Sequence, residues 1–422
     1  MTRAQDYRRR RQALAQLYPQ PVWLYSGSPT LRNAAQPFAF RACSHFLYFC
    51  GWNQPEVWVR LEGGEATLYW DRPGVHTAVW EGPGPRWEEL QERFGFDHLQ
   101  PALERPPLAM KESPAELQDA VIQLRLSHDE AAQRQLREAV DMSVRAHFQA
   151  MRATRPERRE FQIVATLLVS VTQEGGGCSF QPIVSTAGEV LHNPHYQGTL
   201  ERGQLLLVDF GAETGEGWAG DLTRTYPVRT TFSPRQAEIY QVVLKAEKAA
   251  IEACRPGVEY RQVHRVACLE IAAGLVDLGL LKGQPEDLVE RGAHALFFPH
   301  GIGHLLGLDV HDMEDLGDRA GYAPGRSRSK QFGTCYLRLD RCLQPHMAVT
   351  IEPGFYWIPQ LLENPEYTDP LRDCLNPEAI AAYREVRGIR IEDDVLITAE
   401  GRENLSQGLP KELQELEIVV NS

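Results

Sequence analysis

The stretch LLLVDFGAETGEGWAGDLTRTYPV, residues 205–228, decides the fold of the second half of this chain. Apolar and β-branched residues on either side of a Gly-rich centre predict two antiparallel strands joined by a turn. A turn centred on Gly215 would place Asp209 directly opposite Asp221. Directly opposed residues have Cβ atoms about 5 Å apart, and two carboxylates at that distance repel each other. The hairpin therefore predicts a shared proton or a shared cation.

The bulk composition excludes several classes of function. The chain has 422 residues, which is enough for two or three domains at about 150 residues each. Its net charge of −13 argues against nucleic acid or an anionic membrane as the main partner, because both require a basic surface. No run approaches the ~18 apolar residues of a membrane span, and the eight cysteines lie at irregular spacings. We expect a soluble protein of a reducing cytoplasm.

The first part of the chain alternates short strand-like runs with short helical patterns. Two of the strand-like runs are HFLYFCGW, residues 45–52, and EVWVRLEGGEATLYW, residues 56–70. The basic run RRRR, residues 8–11, is predicted to lie on the exposed face of a first helix. A Pro-rich segment, residues 101–117, then reads as a connection.

Helical spacing begins near residue 125, with Ser127 as a candidate N-cap. Two long helices and a C-terminal series of strands follow the hairpin. The sequence therefore predicts an α/β (α+β) chain with two domains, residues 1–124 and 125–422.

Three further stretches of the second domain carry acidic or imidazole groups. HGIGHLLGLDVHD, residues 300–312, supplies His300, His304 and His311. Glu352 ends a strand-like run, and GIRIEDDVLIT, residues 388–398, places Arg390 and Glu392 on one face of a predicted strand, since strand side chains repeat every two residues. Each of these residues alone is explained by ordinary packing, but with the two aspartates they indicate a site.

Two Asp, two Glu and one His form an oxygen-rich set, and four carboxylates balance the charge of two divalent ions. Manganese suits such a donor set, with zinc or cobalt as further possibilities, whereas a structural zinc site would favour cysteine. Two ions about 3.5–4 Å apart can activate a water and polarise a carbonyl. The sequence thus predicts that the hairpin is half of a two-metal cage.

The ordered motifs DFG…AGDLTRTYP, HGIGHLLGLDVHD, TIEPGFY and GIRIEDD resemble those of the pita-bread metallopeptidases, in the prolidase and aminopeptidase P group. The early stretch FRACSHFLYFCGWNQPEVWV is also similar to the N-terminal domain of these proline-directed enzymes. The resemblance covers nearly the whole chain. It implies a creatinase-like α/β domain, a pita-bread catalytic domain, and hydrolysis of the peptide bond that precedes proline.

The resemblance also implies roles for individual residues. Five residues would hold two divalent ions, with Asp221 and Glu392 bridging them: Asp209, Asp221, His304, Glu352 and Glu392. Glu352 would also pass a proton to the leaving proline nitrogen, which carries no hydrogen of its own.

Further residues are implied beside the substrate. His192 and His311 would donate hydrogen bonds to the oxyanion or the substrate backbone, and His300 matches another histidine of the site. Arg390 matches an arginine that braces the bridging glutamate.

The sequence leaves two proline-directed activities open. An aminopeptidase P removes the first residue from longer peptides, whereas a prolidase accepts Xaa-Pro dipeptides and must recognise a free carboxylate. Arg338 matches the arginine that grips this carboxylate in prolidases, and residues 359–386 are similar to the inserted lid of prolidases. Arginine suits that task because its planar fork meets a carboxylate in two hydrogen bonds. These features favour the dipeptidase, with aminopeptidase P as the alternative.

A hypothesis from another class is that the fold serves as a binding module without catalysis. Relatives of that kind, and the amidinohydrolase creatinase, lack the full metal set, whereas all five candidate ligands are present here. The expected partners are therefore proline-containing di- or oligopeptides, with no nucleic acid and no membrane. The family also implies a homodimer.

Overall fold

The computed structural model describes residues 2–34, 36–106 and 113–422. It divides into two compact units, the first ending at Leu126 and the second beginning at Ser127. Part of the predicted Pro-rich connection, residues 107–112, lies outside the described residues.

The first unit contains a four-stranded sheet with helices around it. In its described part the elements are α1 (Arg3–Leu17), β1 (Val22–Tyr25), α2 (Ser44–Cys50), β2 (Trp58–Glu62), β3 (Glu65–Tyr69), α3 (Val75–Glu81), α4 (Trp87–Phe94), β4 (His98–Gln100) and α5 (Ala115–Leu126). The strand order is β1-β2-β3-β4, in which β4 runs parallel to β3 and the other pairs are antiparallel. The predicted strands within residues 56–70 are confirmed as β2 and β3.

The strand prediction for residues 45–52 was wrong, because most of this run forms α2. Every residue from Phe46 to Cys50 is buried, so the run shows no polar face from which a period of 2 or 3.6 could be read. The helix ends at Gly51, whose φ of 68° is left-handed. A Cβ there would lie 2.0 Å from the ring of Tyr7, so this end requires glycine.

The prediction of an exposed basic face on α1 was also wrong for two of its four arginines. Arg10 and Arg11 are only 6% and 0% exposed. The guanidinium of Arg11 donates to the carbonyls of Phe49 at 3.1 Å and Gly95 at 2.5 Å, at the ends of α2 and α4. A cation at a helix C-terminus neutralises the negative end of the helix dipole, and α1 is thereby fastened to both helices.

The second unit combines helices with several small sheets. Its helices are α6 (Glu130–Ala153), α7 (Glu160–Gln173), α8 (Pro234–Ala253), α9 (Tyr260–Asp277), α10 (Pro285–Arg291), α11 (Asp318–Gly321), α12 (Pro359–Leu362), α13 (Pro365–Thr368), α14 (Pro377–Ala382) and α15 (Leu413–Asn421). Its strands are β5 (Gly177–Cys178), β6 (Ile183–Ser185), β7 (Leu205–Phe210), β8 (Ala212–Glu213), β9 (Leu222–Pro227), β10 (Ala348–Ile351), β11 (Gly354–Tyr356), β12 (Gly388–Arg390), β13 (Asp393–Ile397) and β14 (Arg402–Asn404).

Local sequence explains where the long helices begin. Ser233 caps α8 by accepting a hydrogen bond from Gln236 N, as a capping box requires. The predicted N-cap of α6, Ser127, was wrong by two residues. Asp129 takes that position and accepts from Ala132 N at 2.8 Å.

Two three-stranded sheets carry the chemistry of the second unit, with the orders β6-β7-β9 and β10-β13-β14. An isolated bridge between Thr223 and Glu392 connects them. The predicted single strand over residues 388–398 is instead divided into β12, which pairs with β11, and β13, which pairs with β10 and β14. Within the described ranges, every helix is too short or too polar to cross a membrane.

Candidate metal centre

The five side chains predicted to hold metal lie at or beside strands of the second unit. Asp209 is in β7, Asp221 directly precedes β9, and Glu352 directly follows β10. Glu392 lies between β12 and β13, and His304 lies in the loop that approaches β10. All five line one cleft of about 670 Å³.

The hairpin has a different register from the predicted one. Asp209 pairs with Thr223, and the turn is closed by a hydrogen bond from Gly217 N to Thr214 O. The predicted direct opposition of Asp209 and Asp221 was therefore wrong by two residues. Because side chains in a strand repeat every two residues, a shift of two keeps both carboxylates on the same face.

The most compact group of potential ligands is Asp221, His304 and Glu392. One ligand atom from each lies within 4.8 Å of the others, and all three residues are buried. His304 Nε2 is 3.3 Å from Asp221 Oδ2 and 3.9 Å from Glu352 Oε1. The four side chains thus point at a common centre.

This centre gathers more carboxylates than its positive side chains neutralise, so bound protons or a cation must balance them. Burial and the neighbouring Asp209 raise the pKa of Asp221, and burial and the neighbouring Asp221 raise the pKa of Glu392. Burial also raises the pKa of Glu352 to about 8. Among the described residues, the buried Oδ1 of Asp209 has no hydrogen-bond partner. A buried carboxylate oxygen without a partner is costly, and a bound cation would satisfy it.

The backbone fixes the orientation and the tautomer of His304. Its Nδ1 lies 2.9 Å from the carbonyl oxygen of Leu305, so the proton belongs on Nδ1 and the lone pair of Nε2 faces the carboxylates. The preceding Gly303 packs against β10, where a Cβ would lie 2.1 Å from Thr350 O. The loop can reach this position only with glycine there.

Arg390 is buried among the carboxylates and pairs with an unexpected one. Its Nη2 donates to Asp209 Oδ2 at 2.6 Å, whereas its Nε donates to Thr223 Oγ1 at 3.2 Å. Thr223 Oγ1 in turn donates to Glu392 Oε2 at 2.7 Å. The expected bracing of Glu392 therefore passes through Thr223, and the direct partner of Arg390 is Asp209.

Sequence reasoning missed three residues that hold the candidate ligands in place. Thr223 is one, and its spacing of two from Asp221 on a strand could have identified it. Asp394 accepts from Asp221 N at 2.9 Å. His147 of α6 lies 3.1 Å from the carbonyl oxygens of both Phe210 and Leu222 at the base of the hairpin. Nothing in the local sequence of α6 indicates that last contact.

The three other candidate histidines occupy different parts of the cleft. His192 is the most exposed of the three, and partial desolvation of its ring beside the cleft lowers its pKa. His300 lies deeper, with Nε2 2.9 Å from Tyr356 Oη and Nδ1 2.8 Å from Gly301 O. Both of its ring nitrogens are engaged. The ring of His311 stands edge-on to that of His304, with 4.3 Å between the centroids.

Arg338 also lines the cleft, and it is paired with a carboxylate of the protein itself. Its Nη1 donates to Oε1 of Glu314, whose Oε2 is 3.3 Å from His311 Nδ1. Burial alone would raise the pKa of Glu314, but His311 and Arg338 lower it to about 2. Residues 359–386, the predicted lid, form short helices, and none of them lines the cleft.

Comparison with known proteins identifies the family. Residues 134–399 match metallopeptidase family M24, and residues 7–109 match the N-terminal domain of aminopeptidase P. The chain belongs to metallopeptidase family M24. The predicted fold class and the predicted family are confirmed.

Relatives match over nearly the whole chain. The Xaa-Pro aminopeptidase of Escherichia coli is 31% identical, covering 99% of this chain and 97% of its own. Xaa-Pro aminopeptidase 2 of Streptomyces coelicolor is 30% identical, covering 97% and 89%.

Solved structures give the same result. Proline aminopeptidase P II from Yersinia pestis superposes with a TM-score of 0.81 at 29% identity, covering 100% of this chain and 99% of that one. Aminopeptidase P from E. coli with the inhibitor Pro-Leu gives 0.82 at 27%, covering 100% and 98%. The chain is therefore a metallopeptidase that works with divalent metal ions.

Proposed function

We propose that this chain is an Xaa-Pro aminopeptidase that hydrolyses the peptide bond before proline. It would use two divalent ions, of which manganese is the first candidate. The observation that carries the proposal is the buried cluster at the floor of the cleft, where four carboxylates and one imidazole converge. The names of the relatives support the specificity.

The residues present fit a pair of divalent ions. The proposed ligands are Asp209, Asp221, His304, Glu352 and Glu392. They supply mainly oxygen donors, which suit manganese, and the partnerless Oδ1 of Asp209 requires a cation or a donor. Bound ions of this kind activate a water and polarise the scissile carbonyl.

Glu352 is the carboxylate best placed to move a proton. Its side chain is 18% exposed, compared with 10% for Asp209 and 6% for Asp221. A carboxylate open to the cleft can accept a proton from the attacking water and deliver it to the proline nitrogen. The other carboxylates are too enclosed for this task.

The neighbouring residues orient the substrate and the ligands. Arg390 Nη1 donates to Tyr356 Oη at 2.9 Å, so the hydroxyl proton of Tyr356 is directed at His300 Nε2. His300 is thereby held as an acceptor, and its role is to position Tyr356 and the cleft wall. His192 and His311 are the proposed donors to the oxyanion or the substrate backbone.

Two observations favour the aminopeptidase over the dipeptidase. Arg338 is already paired with Glu314, and residues 359–386 do not line the cleft. A cleft without this lid and with a neutralised arginine suits peptides that continue past proline. The dipeptidase remains the second candidate because Arg338 lies in the cleft, where it could still meet a free carboxylate.

A substrate panel tests the proposal. We expect the manganese-loaded protein to cleave Xaa-Pro-Yaa tripeptides before proline, to prefer them over Xaa-Pro dipeptides, and to leave Xaa-Ala-Yaa intact. Under the dipeptidase alternative, dipeptides are preferred and Arg338→Ala lowers their kcat/KM roughly 10- to 100-fold while sparing tripeptides, since one charge-assisted contact is worth about 1.5–3 kcal/mol. Loss of all proline-directed cleavage in the loaded protein would refute both activities.

The compartment and the assembly are further parts of the proposal. From the cysteine usage we expect the protein to lie in the cytoplasm. From the family resemblance we expect it to form a homodimer. Light scattering of the purified protein would test the assembly.

A further inference from the structure

A second, smaller cavity lies behind the wall of the cleft. It measures about 220 Å³ and is lined by Glu314, which does not line the main cleft. His304, His311 and Arg338 line both cavities. These three side chains therefore form the partition, and Glu314 reaches two of them, His311 and Arg338, from the far side.

Glu314 contacts His311 and Arg338 of this partition at once. Its Oε1 accepts from Arg338 Nη1, and its Oε2 lies 3.3 Å from His311 Nδ1. The contact with Arg338 is charge-assisted, and the contact with His311 fixes the orientation of the carboxylate. Two contacts constrain the Glu314 carboxylate more than the single contact of an ordinary surface ion pair would.

The turn that carries Glu314 has an unusual backbone conformation. His311 and Met313 have φ values of 60° and 62°, a left-handed conformation that residues with a side chain rarely adopt. The turn is tied to the loop of His304 because Asp312 N donates to Leu305 O at 3.0 Å. Strained residues of this kind persist where the surrounding structure fixes them, and they cluster at functional sites.

We propose that Glu314 is a specificity-determining residue, which masks the charge of Arg338 so that the cleft accepts substrates without a carboxylate after proline. This inference rests on the proposed function. With Glu314 in place the pair is neutral, so a substrate amide or peptide bond meets little penalty. Without Glu314, Arg338 is an unpaired cation in the cleft that favours a free carboxylate and disfavours a neutral group.

The test compares two substrates that differ only in charge, Xaa-Pro and Xaa-Pro-amide. We expect Glu314→Gln to raise the kcat/KM of Xaa-Pro relative to that of Xaa-Pro-amide about 10-fold or more, chiefly through KM. The reason is that charge-assisted contacts are about twice as strong as neutral ones. The ratio cancels any general loss of rate that follows from a less constrained His311. In the double variant with Arg338→Ala the rise should disappear.

Asp373→Asn is the matched control. Asp373 pairs with Arg291, and neither residue lines either cavity, so the ratio should not change. A Glu314→Gln protein with the wild-type ratio, or a rise that survives in the double variant, overturns the inference. If the wild type cleaves neither substrate nor any tripeptide, the proposed function itself fails, which is a different result.

Discussion

Two buried clusters of charge lie next to each other in the second unit and differ in their balance. The metal centre gathers four carboxylates around one guanidinium, that of Arg390. The second cluster, which we call the scaffold cluster, consists of Asp393, Glu247, Arg224 and Lys411, with two charges of each sign. Consecutive residues, Glu392 and Asp393, belong to different clusters.

The scaffold cluster balances its charges within the protein, although the buried Oε2 of Glu247 has no hydrogen-bond partner among the described residues. Arg224 Nη2 donates to Asp393 Oδ1 at 2.6 Å, and Lys411 Nζ lies 2.6 Å from both Asp393 and Glu247. The arginine also donates to the carbonyl oxygen of Glu392 at 2.8 Å. These contacts lower the pKa of Asp393 in spite of its burial. The scaffold cluster therefore fixes the backbone that carries Glu392.

The metal centre lacks this balance. In the scaffold cluster burial raises the pKa of one carboxylate, Glu247, to about 8, but in the metal centre three carboxylates are affected. The pKa values of Asp221, Glu352 and Glu392 are raised, because burial is not offset by enough positive charge. The comparison teaches that neither burial nor a raised carboxyl pKa alone identifies a metal site. An excess of buried carboxylates over positively charged side chains does.

The largest expected effect is on stability and belongs to the scaffold cluster. Asp393→Asn leaves Arg224 without its anionic partner, which should cost about 3–5 kcal/mol of unfolding free energy. We expect the loss in urea unfolding both with and without EDTA. The exposed pair of Asp369 and Arg372 provides the control, since Asp369→Asn should cost less than about 1 kcal/mol. A loss seen only in metal-loaded protein would contradict the division into two clusters.

The metal centre should respond in the opposite way to loss of a carboxylate. Asp221→Asn should lower bound metal and lower kcat/KM by more than about 100-fold, since even residues that only support a ligand are worth 10–100-fold. After chelation, the variant should melt no lower than the chelated wild type, because one of the repelling carboxylates is gone. Metal analysis, turnover and melting with and without EDTA check this. A variant with full metal content and turnover would remove Asp221 from the ligand set.

The smallest expected effect concerns the hydroxyl between the two charged groups. Thr223→Val removes the hydrogen bond to Glu392 and should weaken metal binding roughly 10- to 100-fold. Thr225→Val is matched in burial and strand, but its hydroxyl contacts only the backbone of Arg390. Competition with a chelator measures both variants. Equal affinities would show that Thr223 serves packing alone.

Sequence motifs identified residues that the structure brings together in one cleft. The five candidate ligands stand at strand ends or in Gly-rich loops, and these were visible as motifs. The register of the hairpin was not, because the pairing of Asp209 with Thr223 is centred on Glu216, one residue after Gly215. That small change moves the partner of Asp209 by two residues.

Contacts between distant segments were beyond the sequence. Arg11 looked like a surface charge because the carbonyls it contacts belong to helices ending at Cys50 and Phe94. The apolar run of α2 could not be separated from a strand without knowing that it is buried on all sides. Glu314 stands three residues after His311, yet its pairing with Arg338 depends on how two loops meet.

The break between β12 and β13 limits insertions and deletions in this part of the chain. Upstream, Gly388 is fixed against Gly188, where a Cβ would lie 2.2 Å from backbone atoms. Downstream, Asp393 is fixed by pairing with Ile351. One residue added between these points would shift the register of β13 against β10 and turn Asp393 towards the cleft and Glu392 towards Arg224, because neighbouring side chains face opposite ways. Each position would still hold a carboxylate, but the roles of Glu392 and Asp393 would be exchanged. The length of the segment over residues 388–393 is therefore as constrained as its residue types.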